Sequence, residues 1–225
     1  MFGQMAKTTP RLWSDFDGTA VALAKKTQPR NWSKYPLAGL EGYVDFLRGV
    51  SSTGVEVAGI VSRRPDIFVR RMATARSIAT LGYGEFFTDT SKIVHAGSEQ
   101  AKGRFIAEQS REATVGILED KPHKLGAVLL GVLQGSDFPT LPHHPVVLGV
   151  VAHPRSQEYI ERLTEGTRSA VIGSRGRLDI QQTGTGATAS LSMRSESVSL
   201  DVVQLQPYSE QAGQEFGALL LKAAS

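Results

Sequence analysis

The sequence of 225 residues contains no cysteine. Disulfides, thiolate-bound metals and a cysteine nucleophile are therefore excluded, and a reducing compartment is expected. Long apolar runs are missing too: no window approaches the roughly 18 residues that a membrane span needs, and the opening residues lack the apolar stretch of a secretory leader. These absences lead to the expectation of a cytoplasmic protein with no membrane partner. An excess of one charge is equally scarce. The 25 Lys and Arg against 22 Asp and Glu leave a formal charge of +3, and the basic residues are interspersed with acids apart from pairs such as Lys25-Lys26, Arg63-Arg64 and Arg70-Arg71. Such pairs read as solvated surface, so nucleic acid is a minor candidate partner. The chain shows no internal repeat, Ser-His-Asp arrangement or zinc-ligand spacing, and His143-His144 between two prolines reads as a loop.

What is present is a chain long enough to bury a core, with short apolar runs alternating with amphipathic stretches from Arg11 onward. That alternation predicts parallel strands joined by crossover helices, an α/β fold built as a three-layer sandwich around a mainly parallel, Rossmann-like sheet. Strands are expected over 11–15, 55–61, 114–118 and 146–152, with a further short one over 169–172. Helices are expected over 40–51, 66–81, 99–110, 124–134 and 157–165. Beyond Gly173 the texture changes. The stretches 178–182 and 198–206 alternate like half-exposed strands around the Gly/Thr segment 183–188, and 209–224 has an apolar helical face. The expected organisation is a core over 11–173 and a C-terminal extension over 174–225, made of a β-hairpin plus a helix packed on the core.

The chemistry-bearing residues fall at strand ends. Leu12-Trp13-Ser14-Asp15-Phe16-Asp17-Gly18-Thr19 sets two carboxylates at i, i+2 before a Gly turn, a seat for a hard cation and a phosphate. Ser62 ends the second strand, Glu119-Asp120 end the third, and Lys102 lies on the helix before it. In a parallel sheet these positions gather at one edge. Each has a plainer reading: an Asx-type turn for Asp15 and Asp17, a helix cap for Ser62 or for Glu119-Asp120, a solvated helix position for Lys102. Lys92 is a competing lysine.

In order and spacing these residues resemble the four motifs of the haloacid dehalogenase-like superfamily: Asp15-Phe16-Asp17-Gly18-Thr19 the first, Ser62 the second, Lys102 the third, Glu119-Asp120 the fourth. The resemblance implies a magnesium-dependent phosphatase, a phosphoric monoester hydrolase. Asp15 would form an aspartyl-phosphate, and Asp17 would protonate the leaving oxygen and then deprotonate the attacking water. Ser62, Lys102 and Thr19 would bind the phosphoryl group. Mg2+ would be held by Asp15, the Asp17 carbonyl and Asp120, with Glu119 behind them. Asp17 argues against dehalogenase chemistry, which in this family lacks a second Asp there. The intervals 19–62 and 62–102 leave no room for a large cap, so a capless or small-cap member with an open site is implied; the segment 25–36, with Trp32 and Tyr35, reads as a small flap or a surface loop. The expected partner is a phosphorylated small molecule, with self-association through the C-terminal extension. Two alternatives stand beside this: a catalytically weak binding or scaffold module of the same fold, and a phosphatase acting on nucleic-acid ends.

Overall fold

The computed structural model describes residues 8–22, 38–121, 123, 144–151, 158–159, 161–162, 177–183, 186–193 and 196–225. In chain order its elements are β1 (Arg11–Ser14), α1 (Tyr43–Ser52), β2 (Glu56–Ser62), α2 (Phe68–Thr80), the short α3 (Gly84–Phe87), a 3-10 turn (Thr90–Lys92), β3 (Ile93–His95), α4 (Glu99–Gln109), β4 (Val115–Glu119), β5 (Val146–Val150), β6 (Arg177–Thr183), β7 (Gly186–Met193), β8 (Glu196–Gln204) and α5 (Glu210–Ala223). Residues 158–159 and 161–162 are helical, within the helix expected over 157–165. The helix expected over 124–134, the strand over 169–172 and the segment 25–36 lie outside the described residues. Among the described residues no helix is long and apolar enough to cross a membrane.

One sheet runs β3-β2-β1-β4-β5-β8-β7-β6. Its first six strands are all parallel, while β7 is antiparallel to β8 and β6 to β7. Every position of β4 (VGILE) and β5 (VVLGV) is buried, the unbroken apolar run of strands covered on both faces. Trp13 packs edge-on against Phe105 of α4, centroids 4.7 Å apart. The opposite face meets α5, where Leu220 sits so close to β4 that a Cβ on Gly116 would lie 2.8 Å from its Cδ1. Helices therefore cover both faces of the sheet.

Helix α1 carries Tyr43, Phe46, Leu47 and Val50 on one buried stripe at the i, i+3, i+4, i+7 spacing. It lies directly on α5. A Cβ at Gly213 would stand 2.0 Å from the Phe46 carbonyl oxygen, and one at Gly49 2.0 Å from that of Glu210, so the two backbones touch only because these positions are glycine. Ser98 and Ser209 start α4 and α5, each accepting a 3.1 Å hydrogen bond from the backbone N–H three residues on.

A hairpin does turn at the Gly/Thr segment, but its second strand is β7 (Gly186–Met193), which begins inside that segment and was not expected, rather than the stretch 198–206; the β6–β7 ladder closes at Thr183–Gly186. The strand expected over 198–206 is β8, and it also pairs in parallel with β5, from Val146–Leu200 to Val150–Gln204. The sheet is thus continuous from β3 to β6. The carboxyl ends of β1, β2 and β4, carrying Asp15, Ser62 and Glu119-Asp120, meet at one edge.

Candidate active site

The loop leaving β1 is held by tyrosines from distant parts of the chain. Tyr43 of α1 donates to Ser14 Oγ at 2.8 Å, and Ser14 donates in turn to the Asp15 carbonyl at 2.8 Å. Tyr83 donates to the Ala20 carbonyl at 2.6 Å and Tyr208, just before α5, to the Thr19 carbonyl at 3.0 Å. The loop curls on itself, Ala20 and Val21 both donating to the Phe16 carbonyl. Gly18 makes the curl possible. Its φ is +88°, and a Cβ there would lie 2.5 Å from Asp120 Oδ2, so both backbone conformation and space demand glycine.

Asp15 lies at the base of the site, 7 % exposed. Its Oδ1 is 2.8 Å from Lys102 Nζ, which also donates to Glu119 Oε2 at 2.5 Å. Lys102 is 1 % exposed, Glu119 3 % and Asp120 4 %. Carboxylate oxygens of Asp15, Glu119 and Asp120 all lie within 4.8 Å of one another. Burial pushes the Asp15 carboxyl up to about 7 although Lys102 pulls it down, and burial likewise raises Glu119 and Asp120 above the usual carboxylate range. For Lys102 burial pulls downward, but the carboxylates of Asp15 and Glu119 outweigh it and the ammonium is held above its ordinary value. Both Glu119 oxygens are engaged, Oε1 accepting from the Lys121 N–H at 3.4 Å. Asp120 Oδ2 is different: it is closed to water and accepts no hydrogen bond, though Lys121 Nζ stands 3.1 Å away as an ion pair.

Asp17 faces the other side of the cavity. Its oxygens receive a two-pronged bond from Arg64, Nε to Oδ2 at 2.7 Å and Nη2 to Oδ1 at 2.6 Å. Arg64 is 7 % exposed, lies over the Phe16 ring at 4.7 Å and donates from Nη1 to Thr74 Oγ1 on α2 at 3.1 Å. Thr74 Oγ1 is in turn 3.1 Å from His95 Nε2 at the end of β3. A cavity of about 270 Å³ lies between the two sides, lined by Asp15, Asp17, Ser62, Glu119 and Asp120 together with Arg63, Arg64, Pro65, Arg70, Glu99 and Lys121.

The expected residues thus converge, with distinctions that the sequence did not carry. Asp15, Asp17, Ser62, Glu119 and Asp120 reach the cavity wall. Lys102 lies beneath it and touches the site through Asp15 and Glu119. Of the two candidate lysines, Lys102 meets Asp15, whereas Lys92 closes the 3-10 turn ahead of β3, its carbonyl beside Gly59 in the middle of β2. Thr19 does not line the cavity: the curl of the loop turns it fully inside, with its hydroxyl unbonded. Ser62 does not cap α2, which begins at Phe68 with Ile67 at its N-cap; its Oγ accepts from the Arg64 N–H at 3.2 Å. The residue missed from sequence is Arg64. Read as half of a solvated pair, it is buried, while its neighbour Arg63 stays 58 % exposed with a loose 3.5 Å pairing to Glu99. The available signal was its position just past a strand end, before Pro65.

The oxygen-only ligand set and the mutual approach of three carboxylates, with Asp120 Oδ2 buried, not hydrogen-bonded and met by the Lys121 ammonium, fit a hard divalent cation such as Mg2+. Asp15 meets Lys102 through Oδ1 and Asp120 meets the Lys121 ammonium through Oδ2, one oxygen each, whereas both oxygens of Glu119 are hydrogen-bonded. No family model matches this chain, and no curated protein or solved structure matches it either.

Proposed function

We propose that the chain is a magnesium-dependent phosphatase of the haloacid dehalogenase type, hydrolysing a phosphate monoester through an aspartyl-phosphate on Asp15. The observation that carries the reading is the meeting of Asp15, Lys102, Glu119 and Asp120, from three separate elements, beside a polar cavity at the carboxyl edge of a parallel sheet. Neither core packing nor solubility calls for three buried carboxylates gathered around the Lys102 and Lys121 ammoniums, an arrangement that costs stability unless a further cation joins it.

Asp15, Asp120 and the main-chain carbonyl of Asp17 would hold Mg2+. Bound there, the ion supplies positive charge to the transferring phosphoryl group. Asp15 attacks phosphorus, the bond to the leaving oxygen breaks, and a covalent phosphate remains on its carboxylate. Lys102 pulls the Asp15 carboxyl down against its burial, favouring the ionised form that attacks, and fixes its orientation. Ser62, at the wall, donates its hydroxyl hydrogen to a phosphoryl oxygen. Asp17 transfers the protons: one to the leaving oxygen, one from the water that cleaves the Asp15–phosphate bond and restores the carboxylate.

A panel of phosphate monoesters assayed with Mg2+ and with chelator tests this. Expected are metal-dependent phosphate release, a covalent phosphate on Asp15 detected by mass spectrometry after acid quench, and a loss of at least about a thousandfold in kcat for Asp15→Asn. Turnover indifferent to Asp15→Asn, or no release from any ester, overturns the assignment.

A further inference from the structure

We propose that Arg64 is a positioning residue which, anchored by Thr74 and Phe16, aims the Asp17 carboxylate for proton transfer. The inference rests on the phosphatase reading and adds to it a residue outside the four motifs. Three contacts fix the guanidinium before it reaches Asp17: the Nη1 bond to Thr74 Oγ1, the stack over Phe16, and burial to 7 % exposure. What remains of its donor fork, Nε and Nη2, spans both Asp17 oxygens at 2.7 and 2.6 Å. Asp17 itself is 31 % exposed, and among the described residues Arg64 is its hydrogen-bonding partner. The rigid half of the pair is therefore the arginine, and the half it orients is the carboxylate.

Proton transfer depends on geometry first, and a two-pronged guanidinium pair fixes both the distance and the plane of a carboxylate. A lysine, a single point of charge, cannot do the same. Thr74 completes the arrangement: its hydroxyl accepts from Arg64 and faces His95 Nε2 on its other side, so it holds the arginine without touching Asp17. Because Arg64 also lines the cavity, direct phosphate binding is the rival role, and the test has to separate the two.

The test measures kcat and KM for wild type, Arg64→Gln, Arg64→Lys and Thr74→Val, with Mg2+, on p-nitrophenyl phosphate, whose leaving oxygen needs no proton, and glycerol phosphate, whose leaving oxygen does. Arg64→Gln is expected to slow the first turnover, read as the pre-steady-state release of the leaving group, about 100-fold on glycerol phosphate and less than about 10-fold on p-nitrophenyl phosphate, while the later water step, which needs Asp17 with either ester, slows on both. KM and inhibition by inorganic phosphate should stay within about threefold. Arg64→Lys should not rescue, and Thr74→Val should show the same substrate bias at smaller size. Equal losses in the first turnover on both substrates, a raised KM and weakened phosphate inhibition with kcat intact, or full rescue by lysine each overturn the inference. So does wild-type turnover confined to p-nitrophenyl phosphate, because no proton is then delivered. Should Arg64→Gln fail to fold, Thr74→Val decides by its substrate bias. Failure of the phosphatase reading is recognisable separately: wild type hydrolyses neither ester, or Asp15→Asn leaves the rates unchanged.

Discussion

On one flank of the cavity three carboxylates crowd together, Asp15 and Glu119 sharing the buried Lys102 ammonium and Asp120 meeting Lys121; on the other a single carboxylate faces a single guanidinium. The first flank carries surplus negative charge out of water, which raises its carboxyls and leaves the Asp120 Oδ2 atom without a hydrogen bond. The second is balanced, with charge and hydrogen bonds matched in a two-pronged pair. Surplus charge is what a cation site needs before its ion arrives, and balance is what holds a side chain in one orientation. The two flanks therefore differ in what they ask of solution conditions: the acidic flank should respond to pH and metal, the paired flank to the shape of its partner.

Removing the ammonium breaks the comparison most strongly. Lys102→Met leaves the buried carboxylates of Asp15 and Glu119 without their shared cation and is expected to cost about 3–5 kcal/mol, read by denaturant unfolding in chelator. Millimolar Mg2+ should restore part of that loss. A stability equal to wild type would mean that the acidic flank carries no strain.

Next in size is the effect of pH. The Asp15 carboxyl is raised to about 7 in the fold from the ordinary carboxylate value, so between about pH 4 and pH 7 the folded state binds more protons than the unfolded chain and stability falls as pH rises. The metal-free protein should lose up to about 4 kcal/mol over that window from this group, levelling off above it. Asp15→Asn should flatten the decline, and Mg2+ should stabilise more at pH 8 than at pH 5, since the ion competes with protons for the same oxygens. A metal-free protein that gains stability from pH 5 to pH 8 would contradict the surplus charge.

The smallest expected effect sharpens the geometry. Gly18→Ala puts a Cβ on Asp120 Oδ2 and a side chain at φ +88°, which should cost about 1–3 kcal/mol. Calorimetric titration should also show weaker Mg2+ binding, because the carboxylate must shift. An alanine variant that binds the ion like wild type would place Asp120 outside the proposed cation site.

Much of this arrangement was readable before any coordinates. β4 and β5 announce themselves as short Val/Ile/Leu runs closed by polar residues, and a helix over 40–51 by Leu40, Val44, Phe46 and Leu47, of which Phe46 and Leu47 lie on the buried stripe of α1 with Tyr43 and Val50 while Leu40 and Val44 are only partly buried. Asp15, Ser62 and Glu119-Asp120 stood out because each follows such a run. Arg64 did not, since Arg63 beside it is chemically identical and the two differ only in what the fold sets around them. Thr19 shows the reverse: a polar residue within the motif that the curl of its loop turns away from the cavity. The strand over 198–206 was visible, but its alternation could not tell that its second neighbour would be β5.

Local periodicity and turn chemistry, written within stretches of some ten residues, determined the elements and the acids at their ends. The tertiary structure alone decided the sheet order, the place of β8 beside β5, the burial of Arg64 and the tyrosine clamp on the loop after β1. The reason is range. Arg64 reaches Asp17 across 47 positions and Tyr208 reaches Thr19 across 189, and contacts at such separations depend on how whole layers pack, which no short stretch of sequence encodes.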